Sequence, residues 1–524
     1  MKKIIISLSI FALLFCACVP LDTAPYNSET DLTFWQEDPN SAVSALNSCY
    51  TSLPDMYEVV YGDGMTDNAY VKGGQNQAIG NGKYGTSDAY VYDVWNHHFA
   101  GIRQCNELIQ HIDKVPGLEA GLKARYIAEA LALRAYHYYE LYIHFGGVPF
   151  FETPITIAES RTAIRETAAQ TSARIEADLK AALEGDALPG SYSGADSGRM
   201  TKWAAKALLA KLYLFDAKWS DVRDVTAEIM SDSGIQLFPS YAGLFEVANE
   251  TCSEIMFSNQ YMPVNREHNI MYNTVPPSMG GYSNLAPLKS LVDSYIMLNG
   301  KAIGETGSGY DANNPWIGRD PRLAATVMYP GNSYTMSDGT VVEPDWNGRD
   351  MFNSTSDVTP TGYYIRKWWD NTYRLTLMSG LNAIIIRYAD VLLMNAEAHA
   401  ELGTLNDAVW NATIRKIRER AGFTDAGALN LPNGGNLKEI VRNERRCELA
   451  FEGQRRTDII RWKTAEQVLN GWCHGMYTGE TVGTDNGFVR IEQRQFDASK
   501  HYLWPIPQKE RDLTNNSLEQ NPNW

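Results

Sequence analysis

The sequence predicts a mainly α-helical protein, in which tetratricopeptide-like helical hairpins form a scaffold that carries long irregular loop insertions. Three observations predict it. Three segments place small residues at helical spacing. Two of those segments run through a short turn into a second amphipathic helix. Residues 55–95 and 260–370 are rich in Gly, Asn, Asp, Pro and aromatics, with few helical periods. At 524 residues the chain exceeds the size at which one core usually stops growing, so either several domains or a repeat-built body is expected.

The chain opens on MKKIIISLSIFALLFCACVPLD. Lys2 and Lys3 precede a twelve-residue apolar run from Ile4 to Phe15. A helix needs about 20 residues to cross a bilayer, so the run reads as a secretory signal peptide over residues 1–17. Cys18 follows small Ala17 where the run stops, a pattern similar to a bacterial lipobox, in which the cysteine after the cut is diacylated. Cys16, behind bulky Phe15, fits less well. Residues 18–35 read as a flexible tether, and 36–524 as one body. Its parts are an N-terminal helical region to about 240, a loop-rich insertion at about 241–380 and a C-terminal helical region from about 381.

In YIAEALALRAYHYYELYIHFGG, Ala128, Ala132, Ala135, Tyr139 and Tyr142 recur at spacings of four and three, and Gly146 with Gly147 stops the helix. In TKWAAKALLAKLYLFDAKW the stripe is Ala207, Ala210, Leu214 and Ala217, followed by the amphipathic SDVRDVTAEIMSD. In RYADVLLMNAEAHAELG it is Ala389, Leu393, Ala396 and Ala400, stopped by Gly403 and followed by a second helix in TLNDAVWNATIRKIRERAG. Small residues in mid-helix let a neighbouring helix approach closely, as a tetratricopeptide-like hairpin requires. The insertions are of very unequal length, so the array is irregular. Long loops on a rigid scaffold commonly carry binding surfaces.

Net charge of −16 and a pI near 5.1 repel phosphate backbones, which excludes a nucleic-acid partner. Beyond the signal, Cys49, Cys105, Cys252, Cys447 and Cys473 lack CxxC or metal-like spacing and read as small buried hydrophobes, with one or two bridges at most. No GxSxG, HExxH, Walker or dinucleotide motif is present, and neither a catalytic residue, a cofactor nor a metal site is assigned. His97 and His98 point about 100° apart on a helix and read as packing or capping groups. In NERRCELAFEGQRRTDIIRW, Glu444, Glu448 and Glu452 share a helical face, with Arg442, Arg445 and Arg446 interleaved. Local neutralisation makes this a structural ion-pair network rather than the acid and base of a glycosidase.

The segments LRAYHYYELYIHFGGVPFFETP, GRMTKWAAKALLAKLYLF, RYADVLLMNAEAHAELG, IVRNERRCELAFEGQRRTDIIRW and the terminal LWPIPQKERDLTNNSLEQNPNW, in that order, resemble the SusD/RagB family of outer-membrane lipoproteins. FWQEDPNSAVSALNSCYTSL and RDPRLAATVMYPG share the resemblance, which covers essentially the whole mature chain. It implies a SusD-like fold, lipid anchoring at the cell surface, capture of an oligo- or polysaccharide, and a SusC-like TonB-dependent transporter as partner, with no catalysis. A non-glycan nutrient such as a peptide, a protein-only scaffold and, less favoured, a surface glycoside hydrolase stay open as alternatives.

Saccharides offer apolar C–H faces and hydroxyl rims, so their sites combine flat aromatic rings with hydrogen-bonding side chains. Trp and Tyr, at 13 and 29, together far exceed the 16 Phe, and many lie in polar stretches. By similarity of position to glycan contacts in the family, Asp67, Asn68 and Trp95 are the first candidates, with Tyr70 and Asn96 beside them. The central insertion adds Tyr282, Trp316, Arg366 and Trp368. Trp368 and Trp369 are adjacent and on a strand face opposite ways, so one is expected in the core and the other at the surface.

Overall fold

The computed structural model describes residues 31–524 except 37, 233 and 373–375. The signal-like start and Cys18 lie outside the described residues. Nine longer helices follow in chain order: α1 Pro39–Cys49, α2 Ala89–His111, α3 Ala120–Phe145, α4 Ala168–Leu183, α5 Lys202–Phe215, α6 Trp219–Met230, α7 Tyr388–Glu401, α8 Ile414–Ala421 and α9 Leu437–Glu448. From α1 to α7 each packs on the next, and α9 closes the row against α7, which is the mainly α arrangement that the sequence predicts. Among the described residues no helix is long and apolar enough to cross a membrane.

Local chemistry sets the helix ends. The Asp88 carboxylate accepts from the Tyr90 and Val91 amides to start α2, and Thr167 with Gln170 forms a capping box on α4. Gly146, at φ 73°, ends α3 in a conformation that costs a side chain-bearing residue energy. The small-residue stripes lie inside: Ala128, Ala132 and Ala135 of α3, Ala207 and Ala210 of α5, and Ala389 and Ala396 of α7 are all buried. Ala217 is the exception. It lies beyond the end of α5 with φ 56°, exposed in the tight turn to α6.

Two further expectations need correction. The helix expected after Gly403 is broken in two, Asp407–Ala412 and α8, because Thr413 leaves helical geometry at φ −125°, ψ −90° and its hydroxyl bonds back to the Val409 carbonyl at 2.7 Å. Residues 55–95 are less irregular than expected. They hold the short helices Met56–Tyr61 and Gln75–Asn81, the strand Ala69–Val71 and the first residues of α2.

The insertions are tied down by small antiparallel ribbons. Ala69–Val71 pairs with Leu285–Pro287, and Ile255–Asn259 pairs with Ala383–Arg387. One large apolar core lies among the helices, and a second gathers residues of the central insertion around Tyr295, Tyr364, Trp368 and Trp369. All five cysteines of the described residues are free thiols.

The acidic face of α9 is an ion-pair network, with partners other than those expected. Arg322 meets Asp320, Glu444 and Glu448 at 2.7–2.9 Å, and Arg387 meets Glu254, Glu448 and Glu452 at 2.7–2.8 Å. Lys367, Arg418 and Arg420 complete it, so five buried cations face five carboxylates. The interleaved arginines turn elsewhere: Arg445 to Asp390 and Asp458, Arg446 to Asp67, and Arg442 to Glu401 and Glu439. A buried charge without a partner is costly, so equal numbers of each sign keep this interior stable.

Candidate functional site

An outer cleft of about 590 Å³ opens where residues 51–76 meet residues 259–284. The Ala69–Val71 and Leu285–Pro287 pairing brings the two segments together, and the Lys72 amide continues it by donating to the Asn284 carbonyl at 2.7 Å. Tyr57 and Tyr61, one turn apart on Met56–Tyr61, lie on the cleft wall with ring centroids 5.6 Å apart. Asp55 caps this helix and Glu58 completes its capping box, which fixes the direction in which both rings project.

Side-chain amides join the two walls. Tyr57 Oη donates to Asn269 Oδ1 and accepts from Asn273 Nδ2 at 3.0 Å, while Asn284 Nδ2 donates to Asn273 Oδ1 at 2.8 Å. Tyr272 and Tyr282 stack beside this chain of amides, centroids 6.1 Å apart and planes 20° apart, with the Tyr282 amide donating to the Tyr272 carbonyl at 2.7 Å. Tyr282 is half exposed. On the far side, Arg266 lies 4.8 Å over the Tyr261 ring and donates to Asn259 Oδ1 at 3.0 Å. Charge in the cleft is mixed. Burial raises the Glu58 carboxyl, nearby His97 opposes the rise and Asp55 adds to it; burial also raises the Tyr57 hydroxyl, which stays protonated and able to donate. His97 packs as expected, with Nε2 2.8 Å from the Ser52 carbonyl.

The nine expected contact residues do not form one site. Asp67 is buried, and both of its oxygens are taken by Arg455 at 2.9 and 3.0 Å and by Arg446 at 2.9 Å. Burial alone would raise its carboxyl; the two guanidinium groups outweigh burial and hold it well below the usual carboxylate range. Asn68 has no exposed surface, donating to Asp63 Oδ2 at 2.9 Å and accepting from Arg446 Nε at 2.8 Å. These two side chains brace the wall behind the site and offer a ligand nothing. Tyr70 is half-buried on the strand, its hydroxyl 3.4 Å from Gln77 Nε2.

Trp95 is buried on α2 with its ring edge-on to Phe145 at 5.0 Å, in the wall of a small apolar hollow that exposed Asn96 also borders. In the insertion, half-buried Trp316 stacks on Tyr329 at 4.1 Å, and Arg366 donates to the Ala324 carbonyl at 2.7 Å while burial lowers its pKa. The Trp368 and Trp369 expectation is wrong, since both are buried. Trp368 sits at φ 70° in a turn rather than on a strand, which frees both rings to point inward, and its Nε1 donates to the Phe451 carbonyl at 2.8 Å. Of the nine, Tyr282 adjoins the outer cleft. Sequence reasoning missed Tyr57, Tyr61, Tyr272 and Asn284; the Tyr57 and Tyr61 spacing of four in a Gly- and Asn-rich stretch was the available signal.

Among the described residues no cluster of three or more His, Cys, Asp or Glu side chains is arranged to hold a metal ion. Glu444 and Glu448 of α9, and Glu452 just beyond it, are buried and paired with Arg322, Arg387, Arg418, Arg420 and Lys367.

Comparison with known proteins agrees with this architecture. Residues 21–214 match a family described as starch-binding and associating with the outer membrane. A SusD-like protein of Formosa agariphila is 26% identical over 562 residues, covering 100% of both chains, and one of Bacteroides ovatus is 23% identical over 571 residues, covering 100% of this chain and 98% of its own. The crystal structure of a SusD-like carbohydrate binding protein from Bacteroides fragilis superposes with a TM-score of 0.83 at 27% identity, covering 92% of this chain and 99% of that one. A second SusD-like protein of that species gives 0.82 at 26% identity, covering 96% and 100%. Residues 248–524, more than half of the sequence, match the SusD family itself, and with the shared fold this establishes that the chain belongs to the SusD family.

Proposed function

We propose that this chain is a cell-surface glycan-binding lipoprotein, anchored through Cys18, that captures an oligo- or polysaccharide in the outer cleft and passes it to a SusC-like TonB-dependent transporter without catalysing a reaction. The observation that carries the reading is the cleft itself. Rings of Tyr57 and Tyr61 stand beside the amides of Asn273 and Asn284, with the Tyr272 and Tyr282 stack at hand. Ring faces suit the C–H faces of a sugar, and amides both donate and accept towards its hydroxyls. The carbohydrate-binding relative of Bacteroides fragilis, alike over nearly its whole length, supports the ligand class.

In this reading Tyr282 is a direct contact, while Asp67, Asn68 and Trp368 act as supports. Trp316, on its stack with Tyr329, belongs to the wider aromatic surface of the insertion. Affinity electrophoresis of the soluble protein from residue 19 onward against plant, host and microbial polysaccharides tests the proposal. Tyr57→Ala and Tyr61→Ala are each expected to weaken binding to the responsive polysaccharide about fivefold, from the loss of about 1 kcal/mol per stacked ring. Retention unchanged in both variants, or no polysaccharide retained at all, would overturn it.

A further inference from the structure

A second pocket, of about 230 Å³, lies where the loop between α4 and α5 faces the strand Ile255–Asn259. Successive side chains of a strand point to opposite faces. Asn259 accordingly reaches towards the outer cleft, donating to the Leu53 and Pro54 carbonyls at 3.2 and 3.0 Å, while Ser258 and Gln260 line the second pocket. The two hollows stand back to back across one strand.

The lining is rich in hydroxyls, and its one carboxyl, Glu250, accepts from the Asn382 amide and is raised to about 7 by burial. Ser191, Ser197 and Thr251 line it and make no side-chain hydrogen bond among the described residues. Buried Ser258 accepts from Gln260 Nε2 at 2.9 Å, and its own proton has no acceptor among the described residues. Arg199 is the one cation of the lining, and it is spent on Asp196 at 2.7 Å and Asn47 at 2.8 Å. An anionic ligand finds no free partner here. Trp203 supplies a ring. It lines the pocket and packs in part on the core behind, with Lys202 Nζ and Lys206 Nζ 4.6 and 5.4 Å from its ring centroid. Gly190 and Gly198 keep the space open. A Cβ at Gly190 would come within 3.2 Å of Trp203 Nε1, and one at Gly198 within 2.5 Å of the Gln260 side chain. The volume equals that of roughly eight waters at about 30 Å³ each, room for a single sugar ring.

We propose that this pocket is a second, independent saccharide site that takes one neutral sugar unit, a chain end or a branch, stacked on Trp203 and hydrogen-bonded by Ser191, Thr251, Ser258 and Gln260. The inference rests on the reading of the protein as a glycan binder. Its test is nuclear magnetic resonance of the Trp203 indole N–H, assigned through Trp203→Phe, during titration with glucose, galactose, mannose and N-acetylglucosamine. The titration is run on the soluble protein from residue 19 onward and on its Tyr57→Ala/Tyr61→Ala form.

One of these sugars is expected to shift the signal saturably in both proteins, and Thr251→Arg, which fills the exposed rim, to weaken that response at least tenfold while polysaccharide retention at the outer cleft changes less than twofold. Failure of every sugar to shift the signal while the outer cleft still retains a polysaccharide would overturn the second site alone. Loss of the response in the Tyr57→Ala/Tyr61→Ala form would show one shared site and overturn its independence. Silence at both sites would overturn this inference together with the reading beneath it.

Discussion

Removing the Asp67 carboxylate would leave two largely buried guanidinium groups, Arg446 and Arg455, without the charge they share. Asp67→Ala is therefore expected to lower stability by about 3–5 kcal/mol, read by denaturant unfolding. The folded fraction should keep its polysaccharide affinity, because the side chain faces inward. A large affinity loss in well-folded Asp67→Ala would restore Asp67 as a contact. Tyr282→Ala should do the reverse, leaving stability within about 0.5 kcal/mol and weakening retention severalfold. The difference explains what was legible at this scale. Residue type marks a side chain as suited to sugar, but burial depends on partners far along the chain, and Asp67 meets an arginine 388 residues away. Tyr282 stands in a short polar turn, where its ring stacks on its near neighbour Tyr272 and stays half exposed, so its exposure follows from local sequence.

Helices were the most legible elements, since a stripe of small residues is a local signal of what must pack closely. Gly101 shows how close the packing becomes. A Cβ at that position of α2 would lie 2.3 Å from the His137 imidazole of α3, so Gly101→Ala forces the helices apart or turns the ring. We expect it to cost about 1–3 kcal/mol. Gly121→Ala, near the start of α3 with nothing within 4 Å of the added atom, is the control and should be neutral or gain up to about 1 kcal/mol. Equal melting temperatures for the two variants would refute the close crossing. The break at Thr413 was hidden because nothing in the amphipathic pattern of the segment marks a one-residue change of backbone direction. The ribbon strands were hidden for a related reason. Two- or three-residue strands such as Ala69–Val71 carry no period long enough to read, and they form only because Leu285–Pro287 arrives to pair with them.

At the scale of the whole molecule, the interior combines matched ion pairs with several neutral histidines, and together they set the response to acid. Burial lowers the His98, His144 and His268 pKa values and brings His137 to about 3 and His501 to about 4, against an ordinary 6.5. Neighbouring charge adds to the lowering at His98 from His137, at His144 from Arg456 and at His501 from Lys500. Below pH 6.5 the unfolded chain takes up protons that the folded protein refuses, so stability falls as pH drops from about 6.5 towards 3. Glu444, Glu448 and Glu452 act lower on the scale. Burial would raise them, but their arginine partners win and depress them, so their contribution is present above about pH 4.5 and is lost as the medium acidifies further. Eight carboxyls oppose this trend, because burial raises Glu58, Glu129, Asp178, Glu246 and Glu510 and brings Asp63 to about 6 and Glu140 and Glu250 to about 7. Their folded forms hold protons between about pH 4 and 7, which favours the folded state as pH falls through that window. The histidines and the raised carboxyls pull in opposite directions between about pH 7 and 4, and the histidine share is a decline in melting temperature that single substitutions isolate. His98→Asn, which removes one refused proton beside His137, should make the decline between pH 6.5 and 4.5 shallower, and Glu140→Gln should make it steeper by removing an opposing group. The same slope in both variants as in the unsubstituted protein would show that these buried groups do not govern the acid response.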